Sequence, residues 1–133
     1  MILLDTHIWV RWLEPADPLP GSLTARIEDA DRVGVSAISC WEVTMLAARG
    51  RISLPLPLSE WIDEATWGSG VEIVPIHCET ARMAAALPQH HRDPADRLII
   101  ATAHLLDAML ISLDGRFPDY FSAAQGSGRL IQE

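Results

Sequence analysis

Met1-Ile-Leu-Leu-Asp5 opens the chain with a continuous apolar run that stops at an acid, and Met109-Leu-Ile-Ser-Leu-Asp114 repeats that pattern near the other end. Runs that are apolar at consecutive rather than alternate positions fit β-strands covered on both faces. Val33–Ser36 and Val71–Pro75 are two further short β-branched segments, and Leu130–Ile131 is a candidate edge strand. Between them the periodicity is helical, over Thr6–Leu13, Ser22–Asp29, Ser39–Arg49, Ser59–Trp67, Thr80–Leu87 and Pro94–Leu106. Strand and helix alternate throughout, which predicts an α/β fold with a central, mainly parallel sheet flanked by helices on both faces. The connectors Pro15–Gly21 and Gly50–Pro57 are too short to separate domains from one another, so residues 1–133 are expected to form a single one.

With 133 residues, 49% of them hydrophobic and 21% charged, the chain can bury a core without disulfides or a structural metal. No apolar run approaches the roughly 18 residues of a membrane span. Asp5 stands where a secretory signal would carry basic residues, so a cytoplasmic protein is expected. Cys40 and Cys78 have neither zinc nor redox spacing and read as small core thiols. The formal net charge is −8, from ten Arg, no Lys and eighteen Asp or Glu, so nucleic acid meets a repulsive average field. Divalent cations held by clustered acids reverse that sign locally, which leaves metal-dependent chemistry open.

In open parallel sheets, ligands sit beyond the carboxyl ends of the strands, where Asp5 and Asp114 stand. Taken alone, each is equally readable as a helix cap or turn residue. Glu42 falls between Ile38 and Leu46 on the apolar arc of its helix, and its neighbours at i+3 and i+4, Met45 and Leu46, offer no charge partner. A carboxylate there needs a metal or a distant Arg. His90-His-Arg-Asp-Pro-Ala-Asp-Arg97 opens the most apolar helix, with Asp93 at the N-cap, Pro94 at the first helical position and Asp96 where a capping box places its acid. Asp96 also projects among Ile99, Ile100 and Ala103, so capping and a site role both stay open for it. Asp5, Glu42, Asp96 and Asp114 gathered in one pocket would repel one another and require a cation. All-oxygen ligands select Mg²⁺ or Mn²⁺, ions suited to in-line phosphodiester hydrolysis by activated water. Neither a phosphate-cradling Gly-rich loop nor a Gly-x-Ser-x-Gly elbow is present. An aspartyl phosphatase would want Asp-x-Asp, whereas Asp5 is followed by Thr6 and His7.

Leu3-Leu-Asp-Thr-His7, Ser36-Ala-Ile-Ser-Cys-Trp-Glu42, His91-Arg-Asp-Pro-Ala-Asp-Arg97 with Leu98-Ile-Ile-Ala-Thr-Ala103, and Leu113-Asp114 together resemble the PIN-domain ribonucleases, in particular the VapC toxins of type II toxin–antitoxin systems. The resemblance runs in order along nearly the whole chain. It implies a helix-sandwiched parallel sheet, a Mg²⁺-dependent endoribonuclease leaving 5′-phosphate and 3′-hydroxyl ends, and an antitoxin that occludes the site. A homodimer is expected. Metal binding is carried onto Asp5, Glu42, Asp96 and Asp114, with Asp93 as a fifth acid, and Thr6 and Ser112 are expected to support the strand-end acids through hydrogen bonds. The family pattern has a bulky aromatic at Ala95 and a Thr at Ser112, and both departures leave the acids in place.

Two other readings compete with a metal nuclease. His7, His90 and His91 admit a metal-free, histidine-driven ribonuclease, although His90 and His91 also read as exposed residues before a helix. A degenerate PIN scaffold or RNA-binding module without catalysis is the second. His77 and His104 are expected at the surface or half-buried. Among the arginines, Arg92 and Arg97 are the chosen candidates for RNA contact, because they bracket Asp93 and Asp96. Most of the five tryptophans should be core, while Trp9 and Trp12 are expected to border a groove for an antitoxin helix.

Overall fold

The computed structural model describes residues 1–89, 91–122 and 125–133. Strands β1 (Ile2–Leu4), β2 (Val33–Ser36), β3 (Val71–Val74), β4 (Met109–Ile111) and β5 (Arg129–Ile131) form one sheet in the order β3-β2-β1-β4-β5, with every neighbouring pair parallel. The helices are α1 (Thr6–Trp12), α2 (Gly21–Asp29), α3 (Ala37–Ala48), α4 (Leu58–Thr66), α5 (Cys78–Ala86) and α6 (Pro94–Leu105). The sheet is thus wholly parallel.

Alternation within β1 explains why its sequence is apolar throughout. Ile2 and Leu4 face one core, with Trp9 of α1, Leu23 and Ile27 of α2 and Trp61 of α4. Leu3 faces the other, with Ile99, Ile100 and Ala103 of α6 and with Phe117 and Tyr120. Successive strand side chains point to opposite faces, and here both faces are dry: Leu3 and Leu4 are each fully buried. α5 packs on α6, and α3 contacts α1 and α6.

β1 lies at the centre, and the strand order reverses on it, which makes its carboxyl end the switch point of the sheet. Leu4 pairs with Val35 on one side and Ile111 on the other, so the next residues along the three strands, Asp5, Ser36 and Ser112, come out side by side. Among the described residues, no helix is long and apolar enough to cross a membrane.

Three expectations are corrected. Trp9 is fully buried, its ring 5.0 Å from that of Trp61 and its Nε1–H donated to the Ala65 carbonyl at 3.0 Å, so it borders no groove. Trp12 is half-buried against the same core, whereas Trp41 and Trp67 are the exposed tryptophans. Cys78 is exposed and so is no core thiol, whereas Cys40 is half-buried and packs against the core. His104 is buried: its Nδ1 accepts the Gly128 N–H at 3.1 Å, which leaves Nε2 to donate to the Tyr120 carbonyl at 2.7 Å. That ring ties the turn before β5 to α6, a contact no local pattern announces.

Candidate metal centre

Asp5 occupies the N-cap position of α1, yet its side chain caps nothing. The carboxylate points instead across the sheet end, where Oδ2 accepts the Ser112 hydroxyl at 2.7 Å. Oδ1 is buried without a hydrogen-bond partner. Burial pushes the Asp5 pKa up, against the Ser112 hydrogen bond. Ser112 Oγ also accepts the Asp114 backbone N–H at 3.1 Å, so one hydroxyl joins the two strand-end acids.

Glu42 is buried on α3, inside the structure as its position on the apolar arc required. Its partner is Thr6, whose Oγ1 donates to Glu42 Oε1 at 2.6 Å and lies 2.8 Å from Ser39 Oγ. The Thr6 hydroxyl therefore serves the helix acid, across the contact of α1 with α3, while the Thr6 backbone N–H is what acts on the strand-end acid Asp5. No arginine pairs with Glu42 among the described residues. Burial, then repulsion from Asp96, Asp5 and Asp93, raises its pKa to about 7 despite the Thr6 bond.

Asp93 caps α6, accepting the Ala95 N–H at 3.0 Å, while its side chain stays exposed. Asp96, one turn in, is buried, and its Oδ2 is hydrogen-bonded to His91 Nε2. Burial raises its pKa to about 6, with Asp5 and Asp93 adding repulsion and His91 opposing it. One ligand atom each from His91, Asp93 and Asp96 lie within 4.8 Å of one another. His91 is itself buried, contrary to the exposed reading: its ring lies beside Phe117, and its backbone N–H is donated to the Tyr120 hydroxyl at 2.5 Å. His90 falls outside the described residues.

Asp114 is half-buried and locally satisfied. Its Oδ1 accepts the Arg116 backbone N–H at 2.8 Å and Nε at 3.1 Å, and its Oδ2 accepts Nη2 at 2.8 Å. Hydrogen bonds from Arg116 hold its pKa below the usual carboxylate range.

Asp5, Glu42, Asp93, Asp96 and Asp114 all border one cavity of about 310 Å³, which His7, Arg11 and Arg116 also line. Asp5 Oδ1, desolvated and unpaired, thus borders the same cavity as two acids whose pKa values are pushed up by burial and mutual repulsion, and oxygen donors of this kind suit a hard divalent cation. Arg92 is exposed beside this region, lining an adjoining depression with Gln89, His91, Asp93 and Arg116.

Arg97 does not serve as expected. It is buried, and its guanidinium donates to the carbonyls of Pro88 (2.8 Å), His91 (3.1 Å), Ala85 (3.3 Å) and Leu87 (2.6 Å), leaving it no reach toward a substrate. It organises the segment that carries His91. Ser39 and Tyr120 went unrecognised as site supports. Ser39 sits one turn before Glu42 on the same helix, a spacing that marks a shared face. Nothing local connects Tyr120 with His91.

The sequence pattern of the PIN domain family matches residues 2–121. Ribonuclease VapC22 of Mycobacterium tuberculosis (strain ATCC 25618 / H37Rv) is 37% identical over 116 residues, which cover 86% of this chain and 88% of that protein. Two solved structures share the fold. The crystal structure of VapBC2 from Rickettsia felis bound to a promoter DNA fragment aligns with a TM-score of 0.69 and 18% identity, covering 98% of each chain. A toxin–antitoxin complex from Klebsiella pneumoniae aligns with a TM-score of 0.64 and 20% identity, covering 99% of this chain and 97% of the other. Family match and sequence identity, spanning nearly all of the residues that build the sheet and its acid-lined end, make this chain a member of the PIN domain family, on its VapC branch.

Proposed function

We propose that the protein is a divalent-metal-dependent endoribonuclease, the toxin of a cytoplasmic type II toxin–antitoxin pair, acting as a single-domain chain in a homodimer. The observation that carries the catalytic reading is the convergence on one cavity of acids distant in sequence, one of which keeps a buried oxygen unpaired. The partner is supported by a structural relative solved as a toxin–antitoxin complex.

Asp5, Glu42 and Asp96 would hold Mg²⁺ or Mn²⁺, with Asp93 at the open side. When bound, the ion supplies Lewis acidity at the scissile phosphate and makes water a better nucleophile at neutral pH. The chain's own residues do the rest. Ser112 and Thr6 orient the Asp5 and Glu42 carboxylates, His91 orients that of Asp96, and ligands fixed in this way hold metal more tightly. Arg92, exposed at the edge of the depression, offers the RNA backbone a cation.

The test is cleavage of RNA by the purified protein with and without chelator, followed by end-group analysis. The expected outcome is cleavage with Mg²⁺ or Mn²⁺, none in EDTA, and 5′-phosphate ends. Asp5→Asn and Asp96→Asn should each abolish cleavage while the fold survives, because both relieve crowding. Cleavage that persists in EDTA and leaves 2′,3′-cyclic phosphate would overturn the proposal in favour of histidine chemistry.

A further inference from the structure

The acids around the cavity differ in what they have left to give. Asp5 keeps one oxygen buried and unpartnered. Asp114 has both oxygens engaged by Arg116, which adds its backbone N–H to the two side-chain contacts. A bidentate guanidinium clamp of this kind is among the stronger hydrogen-bonded pairs, and it neutralises the carboxylate and competes with a cation for its lone pairs. Arg116 is less committed than Asp114. Its side chain is 60% exposed, and a guanidinium carries five N–H donors, of which Asp114 engages those of Nε and one on Nη2. It lines the acid cavity and also the adjoining depression of about 540 Å³, which Arg92 lines as well.

We propose that Asp114 is a positioning residue rather than a metal ligand: it clamps Arg116, and Arg116 with Arg92 forms an anion-binding wall beside the acid cavity that takes a backbone phosphate of the RNA. The inference rests on the ribonuclease reading above and deepens it by dividing the site into a cation-binding half and a phosphate-binding half. A chain with net charge −8 repels RNA on average, so local cations next to the acids are what a polyanion needs in order to approach. Holding Arg116 by a fork from an i−2 carboxylate fixes its plane before substrate arrives, which lowers the ordering cost of binding.

Two measurements test it. In Mn²⁺ titrations of the RNA-free protein by calorimetry, Asp114→Asn should bind within about threefold of the parent while Asp96→Asn loses binding at least about tenfold, the range for losing a site carboxylate or its support. In fluorescence anisotropy with a labelled single-stranded oligoribonucleotide in Ca²⁺, Arg116→Ala should weaken binding about tenfold, as loss of a charge-assisted hydrogen bond does. Its salt dependence should fall by about 0.7 in log–log slope, the contribution of one phosphate contact on a single strand. Arg116→Lys should restore some of the affinity. Asp114→Asn should weaken RNA binding too, and the double variant should bind no more weakly than Arg116→Ala, because the two residues act as one unit. Loss of Mn²⁺ binding in Asp114→Asn, or an Arg116→Ala variant with unchanged affinity and slope, would overturn the inference. A parent protein that binds no Mn²⁺ would instead overturn the metal-nuclease reading, and the RNA double-mutant cycle would still decide whether Asp114 and Arg116 form a phosphate site.

Discussion

Ser112 Oγ donates to Asp5 Oδ2 at 2.7 Å, across 107 positions of sequence, and thereby joins the carboxyl ends of two neighbouring strands. Ser112 is fully buried, and the same oxygen receives the Asp114 N–H. A buried hydroxyl with both roles filled fixes where the first acid of the chain points.

Ser112→Ala removes the side-chain donor to a buried carboxylate that already has one oxygen unpaired. The expected cost is about 1–3 kcal/mol of stability in the metal-free protein, together with a further rise of the Asp5 pKa. Urea denaturation in EDTA measures the first, and an unchanged midpoint would contradict the role assigned to this bond.

Thr6→Val keeps the shape and deletes the hydroxyl that bonds Glu42 and meets Ser39. Metal affinity should fall by about 10–100-fold, the usual effect of losing an orienting partner of a ligand. Ser39→Ala reaches Glu42 only through Thr6 and should cost less. Calorimetric Mn²⁺ titration of the two variants gives the ranking; equal losses would place Ser39 in direct support.

Stability without metal should fall as pH rises between about 4.5 and 7. Glu42 titrates at 4.5 when unperturbed and at about 7 in the fold, so within that window the native chain holds more protons than the unfolded one. Asp96, raised from 3.8 to about 6, acts in the same direction. The stabilisation is complete at the acid end and lost as pH passes the folded pKa. In EDTA the melting temperature should be lower at pH 8 than at pH 5, Mn²⁺ should raise it more at pH 8, and Glu42→Gln should flatten the profile. A profile that rises from pH 5 to 8 would refute the crowding argument.

Arg97 and Arg92 should separate cleanly. Arg97→Ala takes a charged donor from four carbonyls, of which that of Pro88 keeps the Tyr120 hydroxyl at 2.8 Å, and removes a buried side chain, so a loss of about 3–5 kcal/mol is expected, with RNA affinity of the folded fraction little changed. Arg92→Ala, at an exposed position, should alter stability by less than about 0.5 kcal/mol. It should also lower the salt slope of RNA binding by about 0.7. Thermal melts paired with salt-dependent binding distinguish the two, and the reverse pattern would exchange their roles.

The fold was legible because its signals are local. Leu3 and Leu4 are both apolar since β1 is covered on both faces, and the helical arcs of α2, α4 and α6 repeat at the period that presents Leu23 and Ile27, Trp61, and Ile99 with Ala103 to the sheet. Glu42 stood out for the same reason, as a charge on an arc otherwise apolar. Long-range partners were not legible. Arg97 and Arg92 flank the same two acids in sequence, but the helix turns one inward to four carbonyls and leaves the other in solvent. Trp9 and Trp12 lie three apart on α1, yet Trp9 is sealed under Trp61, a residue of α4.

Periodicity and strand-end position therefore sufficed for the layers, the parallel sheet and the candidate acids, because backbone geometry alone dictates which neighbours share a face. Which acid keeps an unpaired oxygen and which arginine remains free to meet a phosphate depended on side chains brought together from separate elements, and the clamp of Asp114 by Arg116 on the conformation of the turn after β4. Hydrogen bonds and burial set the first two of those states, and both arise only when distant segments pack.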